Sequence, residues 1–240
     1  MSSGKKRLDV ALAQRGLIAT RSQAESYIKL GKVKVNGKIL NKSSILVSED
    51  DLLEIRGAER YVSRAALKLD SVAHKLDIDF KDKTVLDVGS STGGFTDYGL
   101  QHGAKKIIAV DVGTDQLHPS LRPNPKIELH EKTDVRDFET KEVPDMILID
   151  VSFISLRQIL PAISQLSDKN TQVVAMLKPQ FESNPKDIHK GLIKNDAVRR
   201  NILKDFETWV KADFRIENKA DSEVAGAKGN RERFYLLRKS

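Results

Sequence analysis

Apolar positions at the start of this chain recur with the period of a helix. Leu8, Ala11 and Leu12 have helical spacing, and a second helical pattern begins near Thr20 and should end at Gly31. Thr20 is followed three residues later by a glutamine, which is the spacing of a capping box. These signals predict two short helices in the N-terminal region.

The segment after the second helix alternates apolar and basic positions. It reads KVKVNGKIL, and its Asn36-Gly37 dipeptide strongly indicates a tight β-hairpin. A second hairpin is predicted through ILVSEDDLLEI. We expect the valines to face a small core and the basic side chains to project outward. Those side chains are Lys32, Lys34 and Lys38 of the hairpin, beside Arg21 and Lys29 of the second helix.

A different pattern begins at Ser63, a suitable helix cap before a helical series of apolar residues. From there the chain alternates strand and helix segments: TVLDVG, FTDYGLQHG, KIIAVDVG, DQLHPSLR, KIELHEKTD, DMILIDVSF, SLRQILPAISQL, TQVVAMLKP, DAVRRNILKDFETWVKA, DFRIENKADS and RERFYLLRK. Continuous apolar strands are expected when helices cover both faces of a parallel sheet. We therefore predict a small α+β domain over residues 1–60 and a doubly wound, Rossmann-like α/β domain over residues 61–240.

The composition excludes several kinds of chemistry. The 240 residues include no cysteine, which rules out disulfides, thiolate catalysis and cysteine-held iron–sulfur or zinc sites. The five histidines show no ligand spacing, so we expect no metal. No apolar stretch approaches the roughly 18 residues of a membrane-spanning helix, and the N-terminus lacks the apolar centre of a signal peptide. We expect a cytoplasmic protein without a membrane or a stable protein partner.

The positive charge is concentrated at the N-terminus. Residues 1–42 contain ten basic residues against Asp9 and Glu25, a balance of +8, while the whole chain carries +7. The remaining residues therefore carry −1, because 7 − 8 = −1. A basic module on a nearly neutral body indicates a docking surface for a polyanion, with chemistry performed elsewhere in the chain.

Residues 7–55 contain RLDVALAQRG, RSQAESYI and GKVKVNGKIL. They resemble the small RNA-binding domain first recognised in ribosomal protein S-four and also found in RNA-modifying enzymes. The resemblance implies a structured RNA that is bound through its backbone and shape. The candidate RNA-binding residues are Arg7, Arg21, Lys29, Lys32, Lys34 and Lys38. The competing interpretation is a solvated lysine face, the usual role of scattered surface charge.

The strand ends of the larger domain hold the candidate cofactor residues, because ligands of doubly wound sheets bind beyond the carboxyl ends of the strands. TVLDV is followed by the glycine-rich loop GSSTGGF, and Asp111 follows the next strand, 22 residues beyond Gly89. A carboxylate at that strand end can accept both hydroxyls of a ribose. The candidate cofactor residues are Gly89, Ser90, Gly93, Gly94, Phe95, Asp111 and Asp134.

The loop also distinguishes between two nucleoside cofactors. A dinucleotide fingerprint needs a glycine where this chain has Ser91. S-adenosylmethionine has no phosphates and needs a carboxylate for its ribose, a polar partner for adenine and a loop around its amino-acid end. Asp111, Asp134 and the glycine loop fall where those roles are expected, so we predict S-adenosylmethionine. Taken singly, each residue also has a structural interpretation as a turn glycine, a capping aspartate or part of a solvated loop.

The segments DVGSSTGGFTD, VDVGTDQL, ILIDVSFISL, MLKPQFE and GNRERFYLL together resemble the TlyA family of ribosomal RNA ribose methyltransferases, whose catalytic domain is similar to FtsJ-type methyltransferases. The resemblance covers nearly the whole chain. It implies S-adenosylmethionine-dependent 2′-O-methylation of a cytidine in ribosomal RNA or ribosomal subunits. The implied catalytic residues are Lys68, Asp150, Lys178 and Glu232.

The chemistry of ribose methylation assigns plausible roles to these four residues. An alcohol is a poor nucleophile until a positioned base removes its proton. Lys178 can be that base in its uncharged form, which burial or a neighbouring cation such as Lys68 would favour. We expect Asp150 to orient Lys178, and Lys68 and Glu232 to position the ribose and phosphate or to join the proton network.

Three other functions remain as alternatives. A catalytically idle RNA-binding assembly factor would retain the fold without methyl transfer. A pseudouridine synthase often carries such a basic N-terminal module, but it needs no Gly93-Gly94 beside Asp111. A membrane-lytic haemolysin, a name given to some family members, would need an extended apolar or amphipathic segment, which is not evident here.

Overall fold

The structure analysed is a computed structural model that describes residues 4–56, 61–226 and 229–240. The N-terminal elements form a small α+β domain. They are β1 (Lys6–Arg7), α1 (Leu8–Gln14), α2 (Arg21–Lys29), β2 (Val33–Val35), β3 (Lys38–Ile39), β4 (Leu46–Val47) and β5 (Leu53–Ile55). The two predicted helices are confirmed, and Gly31 follows α2 with a φ of +67°. The Thr20 hydroxyl accepts the backbone N–H of Gln23 at 3.2 Å, so the N-terminal cap of α2 is present.

The first predicted hairpin is confirmed, whereas the second is wrong. β2 and β3 are joined through Asn36 and Gly37, which both have positive φ values as a tight primed turn requires. β4 pairs with β1, and β5 pairs with the other edge of β2. The turn between β4 and β5 is closed by Asp51, whose carboxylate accepts the Ser48 N–H and the Asn36 side-chain N–H, both at 2.7 Å. This turn directs β5 onto β2 instead of back onto β4.

The larger domain alternates helices and strands. Its elements are α3 (Arg64–Ala73), β6 (Thr84–Val88), α4 (Gly94–Gln101), β7 (Lys106–Val110), β8 (Ile127–His130), β9 (Met146–Ile149), α5 (Leu156–Leu166), β10 (Gln172–Leu177), α6 (Pro179–Glu182), α7 (Asp196–Trp209), β11 (Phe214–Asp221) and β12 (Arg233–Lys239). The seven strands form one sheet in the order β11-β12-β10-β9-β6-β7-β8. β12 runs antiparallel to both of its neighbours, and the other paired strands are parallel. The predicted α/β class is confirmed.

Helices cover both faces of this sheet. One apolar cluster includes α3 and α4, and the other includes α5 and α7. The helix implied by DQLHPSLR is absent, because the chain between β7 and β8 forms turns. Three prolines, Pro119, Pro123 and Pro125, remove backbone donors from this segment. Its leucines Leu117 and Leu121 are nevertheless buried.

The small domain packs directly against α3. The Lys32 ammonium lies 2.5 Å from the Asp70 carboxylate, and the side chain of Gln23 donates a 2.6 Å hydrogen bond to the Tyr61 carbonyl. A single apolar cluster continues from the helices of the small domain through Tyr61 to α3. The boundary predicted near residue 60 falls within residues 57–60, which lie outside the described residues.

Across the described ranges, we find no helix with the length and apolar content required to cross a membrane.

Candidate active site

The candidate catalytic and cofactor residues meet at one edge of the large sheet. Gly89, Asp111, Asp150 and Lys178 directly follow parallel strands, so their backbones lie at the carboxyl edge. Glu232 precedes β12, which runs antiparallel, so it lies at the same edge. The last pair of β10 and β12 joins Leu177 to Arg233, which brings Lys178 and Glu232 to the next opposed positions. Strand order and register therefore bring together residues distant in the sequence.

A cavity of about 530 Å³ opens at this edge. This volume lies within the usual range of small-ligand sites. The candidate residues Gly89, Asp111, Asp134 and Asp150 all line it. The remaining lining includes Ser91 of the glycine loop and the segment Val151–Ile154 after β9.

Gly89 permits the close approach of two strand ends. Its φ is +79°, and a Cβ built on it would lie 2.9 Å from the Asp150 carbonyl oxygen. An L side chain would therefore be strained in this conformation and would contact backbone. The glycine makes a wall of bare backbone on the Asp150 side of the cavity, which suits a ligand that packs against the loop.

The rest of the predicted glycine loop lies behind the cavity wall. Ser90 and Phe95 are buried, and the Phe95 ring packs 6.1 Å from the Phe234 ring. Gly93 has a φ of +88°, and a Cβ on it would lie within 2.6 Å of two buried leucine methyl groups. A Cβ on Gly94 would collide with the Ser63 hydroxyl oxygen. These contacts give Gly93, Gly94 and Phe95 a packing role, and the predicted contact of all four residues with a cofactor stays a prediction.

Two aspartates face the cavity in fixed conformations. One carboxylate oxygen of Asp111 accepts the Ser91 N–H at 2.8 Å, and the other accepts the Gly113 N–H at 2.7 Å. Asp134 contacts Arg136 at 2.6 Å, and the hydrogen bonds from this arginine lower the pKa of the Asp134 carboxyl. Asp111 and Asp134 therefore present oriented carboxyl oxygens on the side of the cavity that follows β7 and β8.

The catalytic candidates form two ion pairs. The Lys178 ammonium lies 2.6 Å from Asp150 and donates a 2.7 Å hydrogen bond to the Ser152 hydroxyl. The Lys68 ammonium lies 2.7 Å from Glu232. Only 10% of the Lys178 side chain and 3% of the Glu232 side chain are exposed. Lys68 therefore neutralises Glu232, and Asp150 is the charged partner of Lys178.

A buried acid lies in β6, next to the strand that precedes Asp150 of the candidate catalytic pair Lys178–Asp150. Asp87 of β6 has no exposed surface and accepts a 2.6 Å hydrogen bond from the Thr96 hydroxyl. Burial, with a smaller contribution from the nearby charges of Asp150 and Asp111, raises the pKa of Asp87 to about 7 against the opposing effect of the hydrogen bonds from Thr96. Near neutral pH, a large fraction of Asp87 is therefore protonated.

The candidate RNA-binding arginines are engaged within the small domain. Arg7 and Arg21 both contact the fully buried Asp9, at 3.0 Å and 2.7 Å. Burial alone would raise the pKa of Asp9, but the hydrogen bonds from the two arginines outweigh it and lower the pKa to about 2. The two guanidinium groups therefore hold α1 and α2 together, and any contact with RNA uses their remaining N–H groups.

The candidate lysines divide into two groups. The expectation that Lys32 projects outward is wrong, because its ammonium is held between Asp70 and the Tyr61 ring. Lys29 and Lys38 are exposed and Lys34 is half-buried, and within the described ranges none of the three has an ion-pair partner. Their contact with RNA stays a prediction.

Sequence reasoning missed three residues beside the catalytic pair. Ser152 accepts the hydrogen bond from Lys178, and Phe153 is 91% exposed at the cavity with a φ of +65°. Glu182 is the third residue, and its side chain is only 2% exposed. The available signal for Phe153 was its position: an aromatic residue follows the buried run MILI in a loop flanked by serines. Nothing in the local sequence indicated the contacts of Glu182.

Comparison with known proteins gives the class of this fold and site. The FtsJ-like methyltransferase family matches residues 61–239, and the S4 domain family matches residues 6–53. A solved structure from Streptococcus thermophilus that carries the name hemolysin is 36% identical, with a TM-score of 0.72 over 100% of this chain and 90% of that chain. The larger domain is therefore that of a methyltransferase.

Two relatives identify the family within the FtsJ-like methyltransferases. The 23S rRNA (cytidine-2′-O)-methyltransferase TlyA of Campylobacter jejuni is 39% identical over 98% of this chain and 100% of its own length. The 16S/23S rRNA (cytidine-2′-O)-methyltransferase TlyA of Mycobacterium tuberculosis is 33% identical over 98% of this chain and 90% of its own length. This chain belongs to the TlyA family of FtsJ-like methyltransferases.

Proposed function

We propose that this protein transfers a methyl group from S-adenosylmethionine to the 2′-hydroxyl of a cytidine in ribosomal RNA. The observation that carries the proposal is the buried Lys178–Asp150 pair at the rim of a strand-end cavity lined by Asp111 and Asp134. The activities named for the Campylobacter jejuni and Mycobacterium tuberculosis relatives support the choice of substrate.

The cavity residues fit the proposed cofactor. Asp111 would accept the ribose hydroxyls, Asp134 would face the adenine end, and the bare backbone at Gly89 would allow close packing beside the glycine loop. S-adenosylmethionine supplies an electrophilic methyl group on a positively charged sulfur. The carboxylates on the cavity wall suit a ligand that is a cation at this atom.

The catalytic work of the chain is to remove one proton. Once its ammonium has lost a proton, the Lys178 Nζ would take the proton of the ribose 2′-hydroxyl. The hydroxyl oxygen would then bond to the methyl carbon as the bond between that carbon and the cofactor sulfur breaks. Asp150 and Ser152 hold this nitrogen from two sides and so define its direction of approach. The Lys68–Glu232 pair, which lies beside Lys178 at the same edge of the sheet, positions the ribose and the neighbouring phosphate.

RNA docking is the proposed role of the small domain, which extends to a boundary near residue 60. Lys29, Lys34 and Lys38 would contact phosphates of structured RNA, and the exposed ring of Phe153 offers a stacking surface at the cavity. The substrate is ribosomal RNA or a ribosomal subunit, and we propose that the protein acts in the cytoplasm, where these substrates occur.

Ribosomal subunits incubated with radiolabelled methyl donor test the proposal. We expect label on RNA with the intact protein and at least about a 100-fold loss with Lys178→Ala, because general-base catalysis contributes typically about 100- to 10,000-fold. Lys169→Ala is the matched control, since Lys169 precedes the same strand at the opposite edge of the sheet and should retain full activity.

Mapping the label to a cytidine ribose completes the test. Bound RNA without label would identify a non-catalytic assembly factor and overturn the proposal. Release of dye from liposomes by the protein alone, with no label on RNA, would identify the membrane-lytic alternative instead.

A further inference from the structure

Glu182 is a buried carboxylate that the proposed reaction does not use. It ends α6, the short turn of helix that begins directly after Lys178. Its side chain is only 2% exposed, and burial raises the pKa of its carboxyl while the hydrogen bonds it accepts oppose this shift. A carboxyl group buried to this extent is costly unless its oxygens are satisfied, so its partners reveal what it holds in place.

Both oxygens of Glu182 bind the far end of the loop that begins at Asp150. One accepts the Ser155 hydroxyl and the other accepts the Leu156 backbone N–H, each at 2.6 Å. Leu156 is the first residue of α5, so the carboxylate also satisfies a free donor at that helix terminus. The guanidinium of Arg157 lies 3.8 Å away.

These contacts and those of Lys178 connect the loop after β9 to the segment after β10 on both sides of Phe153. At one end, Lys178 contacts Asp150 and Ser152. At the other end, Glu182 holds Ser155, so the segment after β9 and the segment after β10 are joined twice. Between the two joints, the rings of Phe153 and Phe181 pack with centroids 5.2 Å apart.

The loop between Asp150 and Ser155 contains a strained backbone conformation. Phe153 has a φ of +65°, a region that costs a non-glycine residue free energy and persists only when its surroundings hold it. Its side chain is 91% exposed, so burial of the ring in a core does not supply that support. The hydrogen bonds to Glu182 fix the backbone two and three residues further on.

We propose that Glu182 is a positioning residue for methyl transfer, which holds the Asp150–Ser155 loop so that Lys178 and Asp150 keep their working geometry. This inference rests on the proposed function. A displacement of about 1 Å in a catalytic group can cost about 100-fold in rate, so such a brace affects the chemical step even though it does not touch the substrate.

Glu182→Gln is the most direct variant, because it keeps the size of the side chain. The neutral amide can still accept the Leu156 N–H and donate to the Ser155 hydroxyl oxygen, but it loses the charge that strengthens both hydrogen bonds. We expect kcat to fall by roughly ten- to a hundredfold. KM for the RNA should change by less than about threefold, since the docking lysines are untouched. Asp168→Asn is the control: Asp168 also accepts two backbone N–H groups, but it lies at the opposite edge of the sheet.

Ser155→Ala provides a second route to the same contact without changing Glu182. The double variant should lose less activity than the sum of the two single losses, because both changes weaken the shared Ser155–Glu182 hydrogen bond, while Ser155→Ala also removes the cap that its hydroxyl gives the Arg157 N–H. Amide hydrogen exchange of residues 151–156 should become faster in each variant and stay unchanged in Asp168→Asn.

Three results would overturn the role of Glu182: an unchanged kcat, a rise in KM for the RNA without a fall in kcat, or unchanged exchange of the loop. If the wild-type protein transfers no methyl group to RNA, the proposed function fails. The exchange measurement would still show independently whether Glu182 holds the loop.

Discussion

At the scale of single residues, the sheet interior contains an acid with an unusual charge state. Asp87 lies within a strand whose five residues are all buried, and hydrogen bonds from the Thr96 hydroxyl and backbone compensate for only part of its burial. The native pKa of about 7 exceeds the usual value of 3.8, so the native state binds more protons than the unfolded state between these two values. The contribution of Asp87 to the free energy of unfolding is therefore greatest at low pH and is lost as the pH rises towards 7.

The corresponding prediction concerns Asp87→Asn. An amide can still accept the Thr96 hydrogen bond but never ionises, so the variant should gain stability over the wild type as pH rises from about 5 to about 8. Over this range the gain is at most about 3 kcal/mol, since about two pH units separate pH 5 from the native pKa of about 7 and each unit corresponds to about 1.4 kcal/mol. Melting temperatures across this pH range measure it, with exposed Asp50→Asn as the control. Parallel profiles for wild type and Asp87→Asn would contradict the raised pKa.

Residues beside the catalytic pair differ in how far the sequence predicted them. Lys178 and Asp150 follow apolar strands, and their positions at the carboxyl edge were predictable from that pattern together with the family resemblance. The role of Glu182 was not predictable, because its partner Ser155 lies 27 residues away on another loop. Two loops can touch only if the strands before them are neighbours in the sheet. The order of strands in a sheet cannot be predicted from the local sequence pattern.

At the scale of elements, the packing of α3 against α4 explains why one position of the glycine-rich loop must be glycine. Gly94 begins α4, and a Cβ there would lie 2.8 Å from the Ala65 Cβ and 3.1 Å from the Ala66 backbone nitrogen. The neighbouring atoms belong to the first turn of α3, where backbone and a short side chain leave little room for adjustment. The close approach of these two helices therefore requires glycine at this position.

Gly94→Ala should destabilise the protein by about 1–3 kcal/mol, because overpacking outweighs the better helix propensity of alanine. Urea unfolding followed by circular dichroism gives the free energy of unfolding. Gly4→Ala is the matched control, since among the described residues no atom beyond its chain neighbours lies within 4 Å of a Cβ built on Gly4. Equal unfolding free energies for the two variants would show that α3 and α4 can separate at no cost.

The predicted helices and strands are correct where the local sequence signals agree. They are wrong where the result depends on which strands pair with each other. Asn36-Gly37 fixed the first hairpin by its own backbone preference. The segment ILVSEDDLLEI has equally good strand signals, yet β4 and β5 pair with different partners. The prolines in DQLHPSLRPNP are a local signal against a helix, and here they outweigh the regular alternation of strands and helices.

At the scale of the whole molecule, the basic patch of the small domain is smaller than its sequence suggests. Arg7 and Arg21 bind Asp9, and Lys32 binds Asp70 of the larger domain. Ion pairs within the protein therefore neutralise part of the positive charge that the sequence analysis expected to contact RNA. The lysines that remain most available for phosphates are Lys29, Lys34 and Lys38.

Salt dependence of RNA binding distinguishes these lysines from Lys32. Replacing Lys34 and Lys38 together by glutamine should weaken binding and reduce the slope of log K against log salt by about 2, because each lysine that neutralises a phosphate contributes about 1 to the slope. Lys32→Gln should leave the slope unchanged and lower the melting temperature, since it breaks an ion pair between the domains. The opposite pattern, with a reduced slope for Lys32→Gln alone, would contradict this division.

The sequence by itself determined the number and type of most elements, the basic N-terminal module and the family. These properties depend on hydrophobic period, turn chemistry and charge, which act over a few residues. Only the tertiary structure decided that Lys68 pairs with Glu232, that Lys32 faces inward, and that Glu182 accepts a hydrogen bond from Ser155. Each of these contacts joins segments that strand order and domain docking bring together, so its partner is set by the packing of the whole chain.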